Sequence, residues 1–150
     1  MIEAGTVIED SRQQARRLLA RAVDFHGHLG PFLVLGIRLG ILAQSVLKAQ
    51  NRNDVAVIMF VNTNPPTSCT VDGVQVSSGR TLGKGTIRIS ESSNRVAGKF
   101  QTRDRTCTIG VKTQTLDELL SRLKKATEKE ILEMADNILA RSDEELFEMD

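Results

Sequence analysis

Two histidines, His26 and His28, are the only ones in the chain. They stand one residue apart in "DFHGHLGPFLVLG", residues 24–36. Imidazole serves as a general base and as a common metal ligand near neutral pH. A regular helix would point the rings of residues i and i+2 about 160° apart. A turning backbone puts them on one side, and Gly27 frees the chain to turn. Zinc, nickel or iron needs further donors, and Cys69 is the obvious third. The sequence places Cys69 in the first turn of a short helix, where donors favour the thiolate. Asp72 is three residues on and shares its face. Each of these residues also has a plainer reading: His26 and His28 as a helix entry, Cys69 as a small buried side chain. Asp24 offers His26 an acceptor for its other ring nitrogen. Cys107 keeps strand parity with Ile109 and Val111 and reads as a core position.

A second segment, "GRTLGKGTI" from Gly79 to Ile87, invites a phosphate-loop reading. It departs from that motif, because Gly79 and Gly83 are too close and Gly85 stands where Ser or Thr should hold magnesium. Its glycines still suit a tight turn near the site, with Arg80 and Lys84 as charge for an anion. The alternative is a flexible entry into a strand.

The elements that must position these residues follow from periodicity. Apolar residues recur with helical spacing from Ile8 to about Asp24, at Ala15, Leu18, Leu19, Ala22 and Val23. Arg12, Arg16, Arg17 and Arg21 decorate the other side. Pro31 suits the first turn of a second helix, to about Gln50, that is apolar almost all round and so expected to be buried. Gly36 and Gly40 would admit a close backbone, in helix-on-sheet packing or at a dimer seam. "DVAVIMFV", residues 54–61, reads as a central strand covered on both faces. Pro65 and Pro66 then mark a loop, and Thr67 or Ser68 would cap a short helix to about Ser77. "GTIRIS", "RVAGKFQT" and "RTCTIGVK" read as a three-strand antiparallel meander. The last third is helical, with Thr115, Thr127 and Ser142 as N-caps of capping boxes.

At 150 residues, 40% hydrophobic and 26% charged, the chain reads as one soluble domain. A net charge of +1 and 3% aromatic residues, all Phe, argue against nucleic acid. The longest apolar stretch, Phe32 to Leu47, contains Arg38 and Gln44 and is short for a bilayer span. "MIEAGTVIED" has no basic start and no apolar run, so no signal peptide is expected and the reading is cytoplasmic. Two cysteines in that setting are expected to be thiols.

"DFHGHLGPFLVLG", "SCTVDGVQ" and "SGRTLGKGTI", in that order, resemble the FmdE family, named for a component of formylmethanofuran dehydrogenase, a molybdenum or tungsten enzyme. The resemblance covers roughly residues 12–112 and leaves 115–150 as a helical extension of a single domain, 1–150. It implies an α+β core, a mixed sheet packed by helices, usually dimeric. It also implies a transition-metal site built from His26, His28 and Cys69, whose nitrogen and sulfur donors would suit one Zn²⁺ or Ni²⁺ per chain. Asp72, Gln75, Arg80 and Lys84 would then line the ligand side. Two family cysteines are absent: Gly30 and Arg80 stand in their places, which leaves too few thiolates for an iron–sulfur cluster. No Cys-x-x-Cys occurs, so the family's cysteine-rich zinc module is expected to be missing. The expected function is a metal-binding accessory or carrier protein. The alternatives are a metal-dependent enzyme acting on a small anionic molecule, or a structural domain that binds another subunit. Expected partners are a second copy of the chain, a small anionic ligand and a molybdenum or tungsten oxidoreductase, with neither nucleic acid nor membrane.

Overall fold

The computed structural model describes residues 10–49 and 51–150; the expected helix start at Ile8 lies outside them. Helix α1 (Ser11–His26) is capped by Asp10, whose carboxylate accepts from the Gln13 amide at 2.9 Å. The Gln13 side chain accepts from the Asp10 amide at 3.2 Å, completing a capping box. The helix ends at Gly27, whose φ of 104° is left-handed and costs glycine little. Helix α2 (Pro31–Leu47) follows at once. The chain continues through a 3-10 turn (Arg52–Asp54), β1 (Ala56–Val61), α3 (Cys69–Ser78), β2 (Ile87–Glu91), β3 (Ala97–Gln101) and β4 (Thr106–Val111). It closes with α4 (Thr113–Leu123), α5 (Glu128–Ala140), α6 (Asp143–Leu146) and β5 (Phe147–Met149). No helix among the described residues is long and apolar enough to cross a membrane.

The architecture is α+β, with one mixed sheet in the order β2-β1-β3-β4-β5. Strands β1 and β2 are parallel, joined by the α3 crossover, and every other pairing is antiparallel. The expected meander is therefore corrected. Strand β2 pairs with β1, not with β3, and β3 takes the other side of β1. Period-two patterning identifies strands but carries no record of which neighbour each one finds. Strand β1 is an interior strand, second in the sheet, rather than its centre, and it is not covered equally on both faces: Val57, Met59 and Val61 are fully buried, Ile58 and Phe60 half-buried. The guanidinium of Arg95 stands 5.1 Å from the Phe60 ring centroid, a cation–π contact.

Helix α2 is the hub. It packs on α1, α3 and α5 and touches β3 and β4. Its glycines face α3 inside this chain, in neither of the two settings expected. A Cβ on Gly36 would lie 2.1 Å from the Thr70 carbonyl oxygen, and one on Gly73 would lie 2.3 Å from the Leu33 oxygen. Gly40 meets the Ser77 hydroxyl in the same way, at 2.0 Å. The two backbones thus cross as closely as bare helices allow. That crossing sets the start of α3 against the end of α1.

Three local expectations change at the caps and at the chain's end. Helix α4 begins at Thr113 after Lys112, so Thr115 lies inside its first turn rather than capping it. Its buried hydroxyl donates to the Glu145 carbonyl oxygen at 3.4 Å. Thr127 and Ser142 do cap, accepting from the Glu130 and Glu145 amides. Ser68 occupies the cap position of α3 but makes no side-chain cap bond. The extension is not wholly helical: β5 pairs with β4 and seats Phe147 opposite Val111 in the core.

Candidate functional site

His26 is the last residue of α1 and His28 sits in the α1–α2 turn. Their ring centroids are 4.5 Å apart, tilted by 41°. The left-handed Gly27 between them lets both rings reach the same place. The His26 side chain is only 10% exposed, and its Nδ1 lies 2.6 Å from Asp72 Oδ2 on α3. With Asp72 as carboxylate, Nδ1–H donates, which fixes the tautomer and the ring plane. The remaining ring nitrogen, Nε2, is buried and has no hydrogen-bond partner.

Asp72 is held in turn. Its Oδ1 accepts from Gln75 Nε2 at 3.2 Å, and Gln75 Oε1 accepts from the Leu82 amide at 3.0 Å. The 79–86 loop is thereby tied to His26 through two α3 side chains one turn apart. Asp24, the acceptor expected from sequence proximity, is exposed. Proximity along the chain pointed to Asp24, and the helix crossing delivers Asp72 instead.

Cys69 opens α3 and lines a cavity of about 130 Å³ together with His26 and His28. The expected thiolate is corrected. Burial pushes the Cys69 thiol up, and the Asp72 carboxylate pushes it further, outweighing the backbone hydrogen bond that favours the anion. Both cysteines are free thiols. Burial also raises Cys107, whose partner in register is the buried Phe100.

Arg80 and Lys84 do not join this cavity. The Arg80 guanidinium, nearly buried, donates to Asn53 Oδ1 at 2.7 Å and to the Asn53 carbonyl oxygen at 3.3 Å. Lys84 Nζ donates to the Gly79 carbonyl oxygen at 2.9 Å. The loop does form a tight turn, with Gly79 at φ 72° and Gly85 at φ 69°. Its two cations are spent on neighbouring backbone and on Asn53. The rest of the cavity wall is apolar: Pro31, Phe32, Pro66, Leu123 and Ile131. Leu123 and Ile131 come from α4 and α5, helices in which the sequence shows no chemistry. Leu120 and Leu123 stay half-exposed on α4.

His26, His28 and Cys69 thus line one cavity. They are not gathered around a point: among the described residues no cluster of three or more His, Cys, Asp or Glu is poised to hold an ion. The side-chain types, though not their present spacing, are those a transition metal takes. The buried nitrogen lacks a partner, the opposite nitrogen is pinned by a carboxylate as in carboxylate–histidine–metal arrangements, and a thiol lies alongside.

The chain is 36% identical over 87 residues to a protein of Archaeoglobus fulgidus described as a probable S-adenosyl-L-methionine-binding protein. That match covers 53% of this chain and only 22% of the relative, so the chain spans about a fifth of it. A family model described as "FmdE, Molybdenum formylmethanofuran dehydrogenase operon" matches residues 25–148, from the residue before His26 into β5. The chain belongs to the FmdE family.

Proposed function

We propose that this chain is a transition-metal-binding accessory protein associated with a molybdenum formylmethanofuran dehydrogenase, with His26 Nε2, His28 and Cys69 as the protein ligands. The observation that carries the reading is the buried, unpartnered His26 Nε2 beside His28 and Cys69. Leaving a buried polar atom unsatisfied costs on the order of 1–3 kcal/mol, which an ion would return. Mixed nitrogen and sulfur donors suit Zn²⁺, and imidazole also suits Ni²⁺. Bound there, either ion would act as a Lewis acid at a position left open to a further ligand. Asp72 orients His26, and Gln75 holds Asp72. Asp72 is therefore engaged on both oxygens and is not placed as a free base, which favours a carrier over an enzyme. Because Cys69 is held as a thiol, ion binding there must release its proton, so affinity falls as the pH is lowered. A homodimer belongs to the same proposal and is read by sedimentation.

The test is elemental analysis and calorimetric titration with Zn²⁺ and Ni²⁺ on the untagged full chain and on His28→Ala and Cys69→Ala. We expect near-stoichiometric metal in the parent and at least about a tenfold loss of affinity in each folded variant. No binding by the parent, or full retention in both variants, overturns the reading.

A further inference from the structure

The cavity that holds His26, His28 and Cys69 does not end at its apolar wall. It shares Pro66 and Leu123 with an adjoining trough of about 560 Å³ lined by Pro65, Leu120 and Lys124. The cavity alone is smaller than small-molecule sites usually are, whereas cavity and trough together fall in their range. We infer that they form one binding site for a small molecule with an apolar body and a single neutral polar head, an alcohol or thiol, the head meeting His26 and the body lying along Pro66, Leu123 and Leu120.

Three observations carry this. First, beyond the end of the cavity formed by His26, His28 and Cys69, the lining out to Lys124 is hydrocarbon, which rewards apolar surface and offers no partner to a polar group along the body. Second, His26 Nε2 is buried without a partner while Nδ1–H is committed to Asp72. In that tautomer Nε2 is an acceptor, and a hydroxyl or thiol supplies the missing donor. Third, an anionic head is disfavoured. Asp72 already puts a carboxylate beside His26, and the two cations that could have balanced an anion are turned to Asn53 and to the Gly79 carbonyl. Lys124 stands only in the outer trough. A buried anion without a counter-charge costs more than its contacts return.

The inference deepens the proposed site, since with metal bound the same head would reach the open position, but its test stands apart from the metal. The metal-free and Zn²⁺-treated full chains, labelled at Leu and Ile methyls and at histidine nitrogens, are titrated with 1-hexanol and, separately, with inorganic phosphate. We expect saturable hexanol shifts at the Leu123 and Ile131 methyls and at His26 Nε2 in the metal-free chain, and none from phosphate at equal concentration. Leu120→Asn, a half-exposed position in the trough, should weaken hexanol by about tenfold. Phosphate shifts without hexanol shifts overturn the inference in favour of an anion. Methyl shifts that follow protein concentration and ignore hexanol overturn it in favour of a second copy of the chain covering the trough. Hexanol binding without zinc binding leaves this inference standing and removes the metal reading; zinc without hexanol does the reverse.

Discussion

His26 and Asp72 are 46 positions apart in the chain, and their Nδ1 and Oδ2 atoms are 2.6 Å apart. The glycine-lined crossing of α2 and α3 makes that contact, since it brings the first turn of α3 to the last turn of α1. Asp72→Asn keeps the shape and one acceptor but removes the charge. We expect a 10- to 100-fold loss of Zn²⁺ affinity, on the scale of about that size seen when the partner of a metal-binding histidine is removed. Competition against a chromophoric chelator reads it, with circular dichroism to check the fold. An unchanged affinity would show that Asp72 does not orient a ligand.

The two thiols supply a test with its own control. Cys69 is raised above the ordinary 9.0 first by burial and then by Asp72, and Cys107 by burial alone. The thiolate is the form that alkylates. In metal-free protein the iodoacetamide rate at Cys69 should therefore reach half its maximum above pH 9.0. Asp72→Asn should lower that midpoint and leave the one for Cys107 where it was. Stability shifts with the same protons. Unfolded chains lose them first, so the native state binds more protons, and stability falls as pH rises through 9.0. Peptide mapping of alkylated protein at a series of pH values separates the two cysteines. A Cys107 midpoint that moved with Asp72→Asn would contradict the electrostatic account.

Glycine substitutions separate the crossing from the loop. A Cβ at Gly36 would meet the Thr70 carbonyl carbon and oxygen, which are backbone and have nowhere to go. Gly36→Ala should cost about 3 kcal/mol or more, at the upper end of overpacking effects. Gly83 has nothing within 4 Å of where its Cβ would stand and no left-handed φ. Gly83→Ala should stay within about 0.5 kcal/mol of the parent. Urea unfolding of both variants measures the difference. Equal stabilities would mean that α2 and α3 do not pack this closely in solution.

What the sequence made legible, and what it hid, divides along physical lines. Side-chain chemistry and periodicity are local, so the buried α2, the Thr127 and Ser142 caps, strands β1 to β4 and the candidacy of His26, His28 and Cys69 could be read directly. Partner choice is not local. Nothing in "IRIS" says that β2 lies parallel to β1, and nothing near His26 says that Asp72 rather than Asp24 will meet it. Long cations are the least legible of all. Arg80 looked available for an anion, yet its reach let it settle on Asn53. The field at Cys69 depended on burial and on a carboxylate one helical turn away, and both act against the helix-start effect that the sequence alone advertised. Leu123 and Ile131 could not be assigned to a cavity wall from the sequence, because a leucine facing a cavity and a leucine facing a sheet leave the same stripe.

Arg38 was legible only as an interruption in an apolar helix, and the structure gives it a task. Its side chain is fully buried. Nη1 donates to the carbonyl oxygens of Ile138 and Leu139 at 2.8 and 3.2 Å, near the end of α5. Nη2 donates to Asp143 Oδ1 at 2.9 Å, and the other oxygen of Asp143 accepts from the Ser11 hydroxyl at 3.2 Å. One guanidinium therefore joins α2 to the α5–α6 junction and, through Asp143, to the start of α1. Removing it leaves two carbonyls and a partly buried carboxylate without their donor. Arg38→Ala should lose about 3–5 kcal/mol, the range for breaking one side of a buried ion pair. Asp143→Asn should also destabilise: the amide oxygen still accepts from Nη2, but the fully buried guanidinium loses its counter-charge. Because α5 also carries Ile131, Arg38→Ala should loosen the cavity wall while leaving His26 on Asp72. Urea unfolding reads the stability difference and methyl spectra of Ile131 read the wall. A loss below about 1 kcal/mol in Arg38→Ala would show that water or a rearranged side chain replaces the guanidinium, and that the junction is held by apolar packing alone.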